Sequence, residues 1–208
     1  MQNVISQLKD KEIQSKVLQV KELALMKIDN DCRLKDIFNE IKNSNEELYI
    51  HSILVADISC ILGVLFNFRL DELMNLYFGA LYHDNGKTLL NSEVLYKPDV
   101  FSADERQLAE SHTSLGRKQI GRIIDNKDVL DIILKHHERI DGTGYPIGIS
   151  EKEQSIFVRI VAVADVFNAL TSQRCYKESM SEEQAFEILE KDKGLDQTVV
   201  YMLKKISM

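Results

Sequence analysis

Apolar residues recur at helical spacing along most of this chain. Ile13, Val17, Val20, Ala24 and Ile28 stand three or four residues apart with Lys and Glu between them, which predicts an amphipathic helix over 13–28. Leu34, Ile37, Phe38 and Ile41 predict a short second helix. Ile50, Leu54, Ile58, Ile61 and Leu65 predict a longer one from about Glu46 to Phe66, and Asp71 to His83 reads as a buried helix. Ser102 with Glu105 three positions later is a capping-box pattern for a helix expected to carry His112 and run towards Ile124, and Ser181 with Gln184 repeats it near the end. Asp128 to His137 and Phe157 to Leu170 are apolar at mostly helical spacing. Val158 to Val166 alone fits a strand, but its helical neighbourhood decides for helix. The pattern predicts an all-α, bundle-like domain.

One segment resists. In Asp141 to Gly148, Gly142, Gly144, Pro146 and Gly148 rule out regular structure and demand a shaped loop, the kind of segment that carries function. The only prolines are Pro98 and Pro146, and no linker, repeat or low-complexity stretch divides the chain. The 208 residues suit one large domain, alone or preceded by a short helical extension.

Charge narrows the function. A net charge of -7 argues against a broad basic face for DNA or RNA, yet leaves room for a small anionic ligand held by metals. Lys9, Asp10, Lys11 and Glu12 occupy the place of a signal peptide's apolar stretch, and the longest uninterrupted apolar run, Ile61 to Phe66, is too short to span a bilayer. Cys32, Cys60 and Cys175 are widely spaced and odd in number, as reduced thiols are. These features predict a cytoplasmic protein with no membrane partner.

The chemistry gathers around five histidines, His51, His83, His112, His136 and His137, all in polar or glycine-rich company. Singly, each is more often structural than a ligand; together, they are not easily read that way. Glu47 and His51 are four apart on one predicted helix and share a face, as metal ligands or as two solvated residues. In the adjacent pair His83 and Asp84, the imidazole can fix one metal while the carboxylate bridges to a second. Consecutive His136 and His137 would diverge by about 100 degrees on a helix, which suits two metals better than one. Asp165 lies within the apolar run Ile160 to Phe167, where a carboxylate is costly unless paired or bound to a cation.

The strings HDNGK (His83 to Lys87) and HHERIDGTGYP (His136 to Pro146) resemble the signature of HD-GYP phosphodiesterases. The resemblance runs from roughly Glu47 to Lys177, through DVFNALTSQRCYK from Asp165. It implies a helical HD domain over 43–208 behind an N-terminal helical extension, 1–42, and metal-assisted hydrolysis of cyclic-di-GMP or a related cyclic dinucleotide to linear dinucleotide and/or GMP. The implied metal ligands are His51, His83, Asp84, His112, His136, His137 and Asp165, with Asp84 as the bridge. Glu47 matches the added ligand of three-metal members. Two or three divalent ions are therefore expected, iron or manganese before zinc given the mixed imidazole and carboxylate set.

Lys87, Arg174, Lys177 and Tyr145 are implied substrate contacts, Asp84 and Lys87 being the catalytic pair, while Glu138 and Asp141 look like residues that support the site or shape the loop. Asn85, Thr113 and Asn168 depart from common family residues, and Gly194 to Val200 lacks the usual Phe-Asp-Pro ending, which puts the packing of the last helix in question. Two rival readings remain. One is another HD-superfamily phosphohydrolase acting on nucleotides. The other is a catalytically weak module that uses the Gly-Tyr-Pro loop to bind a cyclic dinucleotide or a diguanylate cyclase domain.

Overall fold

The computed structural model describes residues 4–95, 97, 100–172 and 179–207, and these contain helices and turns without a β-strand. The helices in chain order are α1 (Val4–Gln7), α2 (Lys11–Asn30), α3 (Cys32–Ser44), α4 (Glu46–Leu65), α5 (Leu70–Leu81), α6 (Ser92–Leu95), α7 (Ala103–Glu110), α8 (His112–Ile120), α9 (Lys127–Lys135), α10 (Ile156–Thr171), α11 (Glu182–Lys191) and α12 (Gln197–Ser207). Short 3-10 turns occupy Asn85–Leu89 and Glu151–Glu153. The predicted all-α class is what the chain adopts.

Local chemistry starts these helices where the sequence places them. Asp10 caps α2 by accepting from Glu12 N and Ile13 N, and Asn45 caps α4 by accepting from Leu48 N. Both expected capping boxes form, Ser102 with Glu105 and Ser181 with Gln184.

Two helices, α4 and α10, are apolar nearly all round and lie at the centre, as a helix without a polar face must. Val55, Ile58, Ile61 and Leu62 of α4 and Val158, Ile160, Val161 and Val163 of α10 are buried together with Leu73, Leu76 and Phe78 of α5. Each such side chain contributes about 1.5–3 kcal/mol by leaving water. By length and composition α4 could cross a membrane, but most of it is covered by the rest of the fold. The first 42 residues add Ile5, Val17, Val20, Ala24, Ile28, Leu34, Ile37 and Ile41 to the same core. The α2 side chain Lys21 pairs with Asp57 of α4 at 2.7 Å, and Tyr77 of α5 donates to the same carboxylate at 3.2 Å.

One expectation is corrected. The helix expected from Ser102 towards Ile124 is broken at Ser111. Ser111 Oγ, His112 Nδ1 and Thr113 Oγ1 meet the carbonyls of Leu108, Ala109 and Glu110 at 2.6, 2.6 and 3.0 Å, so side chains take the acceptors that a continuous ladder needs. The doubt over the last helix also resolves. Asp196 accepts from Thr198 N and Val199 N and pairs with Arg159 at 2.6 Å, and α12 buries Val199, Val200 and Leu203.

Candidate metal centre

The elements bring the histidines to one place by their ends. His51 comes from the first half of α4. His83 and Asp84 follow α5, His112 opens α8, His136 and His137 follow α9, and Asp165 projects from the middle of α10. Gly86 allows the tightest of these approaches, because a Cβ there would lie 2.0 Å from the His112 carbonyl oxygen. Only glycine lets the turn after Asp84 lie against the start of α8.

Asp84 is at the centre and 1% exposed. Its Oδ1 faces Nε2 of His112 at 3.2 Å and of His136 at 3.7 Å, while Oδ2 faces Nε2 of His83 at 3.4 Å and of His51 at 3.7 Å. Asp165 Oδ1 lies 3.1 Å from His51 Nε2 and 3.9 Å from His83 Nε2, with Oδ2 3.9 Å from His137 Nδ1. Ligand atoms within 4.8 Å of one another form three overlapping groups: Asp84, His112, His136 and His137; His51, His83 and Asp84; and His83, His136 and Asp165.

Seven of the eight expected ligands therefore converge. Glu47 lies one turn before His51 on α4, half-buried, and its carboxylate joins none of these groups. His136 is the C-cap of α9, still in helical conformation, and His137 follows it; both fall in the group with Asp84 and His112, and His136 falls also in the group with His83 and Asp165.

The donors fit a cation better than they fit one another. His83, His112 and His136 each direct Nδ1 to the carbonyl three residues earlier, Ala80, Ala109 and Ile133, at 2.6, 2.6 and 3.1 Å. His51 directs Nδ1 to Asn168 Oδ1 at 2.6 Å. Each such bond assigns the ring proton to Nδ1 and leaves Nε2 a lone pair, the arrangement by which outer partners prepare imidazole for a metal. Among the described residues, His83 Nε2 and Asp84 Oδ1 are buried without a hydrogen-bond partner, and the Nε2 atoms of His112 and His136 face each other at 3.4 Å. Lone pairs aimed at a carboxylate and at each other repel unless a proton or a metal cation stands among them.

Titration follows the same geometry. Burial, then the charges of neighbouring imidazoles, lowers His136 to about 4 against the pull of Asp84, and His137 well below the usual histidine range. Burial also works to lower His83, yet Asp84 and Asp165 raise it overall. Burial opposes ionisation of both aspartates, but Lys87 and His83 hold Asp84, and His51 holds Asp165, well below the carboxylate range. The apo centre thus keeps two anions and at least two neutral imidazoles at neutral pH.

The remaining expected contacts fall as follows. Lys87 Nζ pairs with Asp84 Oδ2. Tyr145 stacks on His137, ring centroids 4.6 Å apart and 25° between planes, within a loop held by positive φ at Gly142 and Gly148. Asp141 orders that loop by accepting from Thr143 N and Oγ1, and Glu138, 1% exposed, accepts from its backbone. Arg174 and Lys177 lie outside the described residues. Asn168 was missed as a site residue: it reads in sequence as a replacement, and only the fold shows it orienting His51.

Residues 37–199 match the HD domain family. The chain is 39% identical over 123 residues, 57% of this chain and 33% of that protein, to a cyclic di-GMP phosphodiesterase of Thermotoga maritima. It is 31% identical over 151 residues, 73% of this chain and 35% of that protein, to a 3'3'-cGAMP-specific phosphodiesterase of Vibrio cholerae. The chain thus spans about a third of the length of these relatives. In fold it is similar to an HDG"Y"P protein from Bdellovibrio bacteriovorus, with a TM-score of 0.63 at 22% identity over 94% of this chain and 70% of that one.

Proposed function

This chain belongs to the HD-domain family, and on that premise we propose that it hydrolyses a phosphodiester bond of cyclic-di-GMP, to linear dinucleotide and/or GMP, or the corresponding bond of a related cyclic dinucleotide such as 3'3'-cGAMP. The observation that carries the reading is the division of Asp84, which gives one oxygen to the His112 and His136 side and the other to the His51 and His83 side. A single carboxylate between two imidazole pairs is the donor arrangement for two neighbouring cations. The names of the relatives support the substrate class.

In this reading His51, His83, Asp84 and Asp165 would hold one divalent ion, and Asp84, His112, His136 and His137 would hold a second. Iron or manganese suits these nitrogen and oxygen donors. Such ions supply Lewis-acid polarisation of the diester and acidify the attacking water. A third ion, if bound, draws on Glu47. The protein's own groups do the rest. Asn168 and the three carbonyls fix the rings, Lys87 offers an ammonium beside the bridge to offset phosphate charge, and Tyr145 borders the site over His137. The resemblance to HD-GYP phosphodiesterases adds Arg174 and Lys177, which lie outside the described residues, as candidate phosphate-binding cations. Among the described residues Cys32 and Cys60 form no disulfide, which supports a cytoplasmic setting in this reading.

The second reading, a catalytically weak module that uses this loop to bind a cyclic dinucleotide or a diguanylate cyclase domain, draws on the exposed Ile147 in the loop. Protein prepared anaerobically with Fe(II) or Mn(II) and given each cyclic dinucleotide separates the two. Metal-dependent, chelator-sensitive release of linear dinucleotide or mononucleotide is expected. Tight binding without turnover under either metal would establish the receptor instead.

A further inference from the structure

Glu138 is buried beside His137, yet its carboxylate joins none of the metal-ligand groups. It turns to the loop instead. Ile147 N donates to Oε1 at 2.7 Å, Gly148 N to Oε1 at 3.2 Å and Oε2 at 3.0 Å, and Ile149 N to Oε2 at 3.1 Å. Three consecutive amides thus converge on one buried acceptor. Gln154 closes the loop's base by donating to the carbonyls of Arg139 and Ile149, both at 2.9 Å, and Tyr145 N donates to the His137 carbonyl at 3.3 Å. A buried carboxylate needs such donors, and so many aimed at one group over-determine the loop's path.

We infer that Glu138 is a positioning residue for the substrate: it clamps residues 147–149 so that Tyr145, two residues before the clamp, is held against His137 as a wall of the site. The wall, and not the metal centre, then selects a cyclic dinucleotide over a small phosphodiester. This rests on the phosphodiesterase reading above. Its chemistry requires a carboxylate, because two acceptor oxygens face N–H donors and no donor on Glu138 is called for. Glutamine has the same shape, but its NH2 would face an N–H.

The test uses metal-loaded protein and the Glu138→Gln variant. Hydrogen exchange at the amides of Ile147, Gly148 and Ile149 is expected to accelerate by about tenfold or more, with core amides of α10 unchanged. The kcat/KM for the cyclic dinucleotide should fall by about tenfold or more, while metal content and hydrolysis of bis(p-nitrophenyl) phosphate stay within about twofold. In a Tyr145→Ala background, Glu138→Gln should cost nothing further on the cyclic dinucleotide, because the clamp acts through that ring. Should Glu138→Gln fold poorly, Ile147→Pro removes the shortest donor from an exposed position and is expected to give the same pattern. Equal losses on both substrates with loss of metal, fully additive losses in the double variant, or unchanged loop exchange would each overturn the inference. Wild-type protein that cleaves the small diester but no cyclic dinucleotide would instead overturn the functional reading, and the exchange result would still judge the clamp.

Discussion

Asp84 offers its two oxygens to different imidazole pairs, so its removal takes a shared ligand from both sides of the centre. Asp84→Ala is expected to lose bound metal and nearly all turnover while circular dichroism still reports a folded helical protein. Full metal content and activity would remove Asp84 from the site. Lys87 contacts the same carboxylate from outside the ligand groups, so Lys87→Ala should lower kcat by about tenfold or more with metal content near wild type. Metal loss in that variant would show that the ammonium supports the cluster. At this scale the candidate ligands were legible in part because His83 with Asp84 and His136 with His137 stand as adjacent pairs, while His112 came only from the resemblance to HD-GYP phosphodiesterases. Their Nδ1 partners were not. The carbonyls of Ala80, Ala109 and Ile133 become acceptors only once a turn is wound, and Asn168 meets His51 across 117 positions of sequence.

Among the helices, periodicity and capping residues marked starts well, because a cap is a local bond between residues two or three apart. Ends were less legible. The division between α7 and α8 depends on three side chains taking carbonyls, a competition that no hydrophobic pattern encodes. That break has a use: it makes His112 the first residue of α8, where Gly86 brings the turn after Asp84 close. Gly86→Ala would set a methyl group 2.0 Å from the His112 carbonyl oxygen, so the turn and α8 must part. Such overpacking costs about 1–3 kcal/mol or more. The variant should unfold at lower urea concentration and bind metal more weakly, by titration, than wild type. Unaltered stability and affinity would mean that this approach does not position His112.

For the molecule as a whole, a core built on α4, α5 and α10 encloses a charged centre, so stability should respond to protons and to metal together. In the metal-free protein, His136 at about 4 and His137 well below the usual range refuse protons that the unfolded chain accepts below about 6.5. Stability should therefore fall as pH drops from about 6.5 to about 4. The raised His83 works in the other direction: its contribution is complete below about 6.5 and is lost as pH rises through its folded value. Asp84 and Asp165, held well below the carboxylate range, contribute above about 3.9 and lose that contribution only as pH falls further. The apo unfolding temperature should thus be highest near pH 6.5 and decline on the acid side. Divalent ions bind only the unprotonated rings, so at about 100 times their dissociation constant they should add about 2.7 kcal/mol at neutral pH and progressively less towards pH 4. Thermal unfolding of chelated and Mn(II)-loaded protein from pH 4 to 8 measures both effects. A chelated midpoint that stays level between pH 6.5 and 4 would show that His136 and His137 accept protons freely in the fold, and with it that their burial beside Asp84 does not keep them ready for metal.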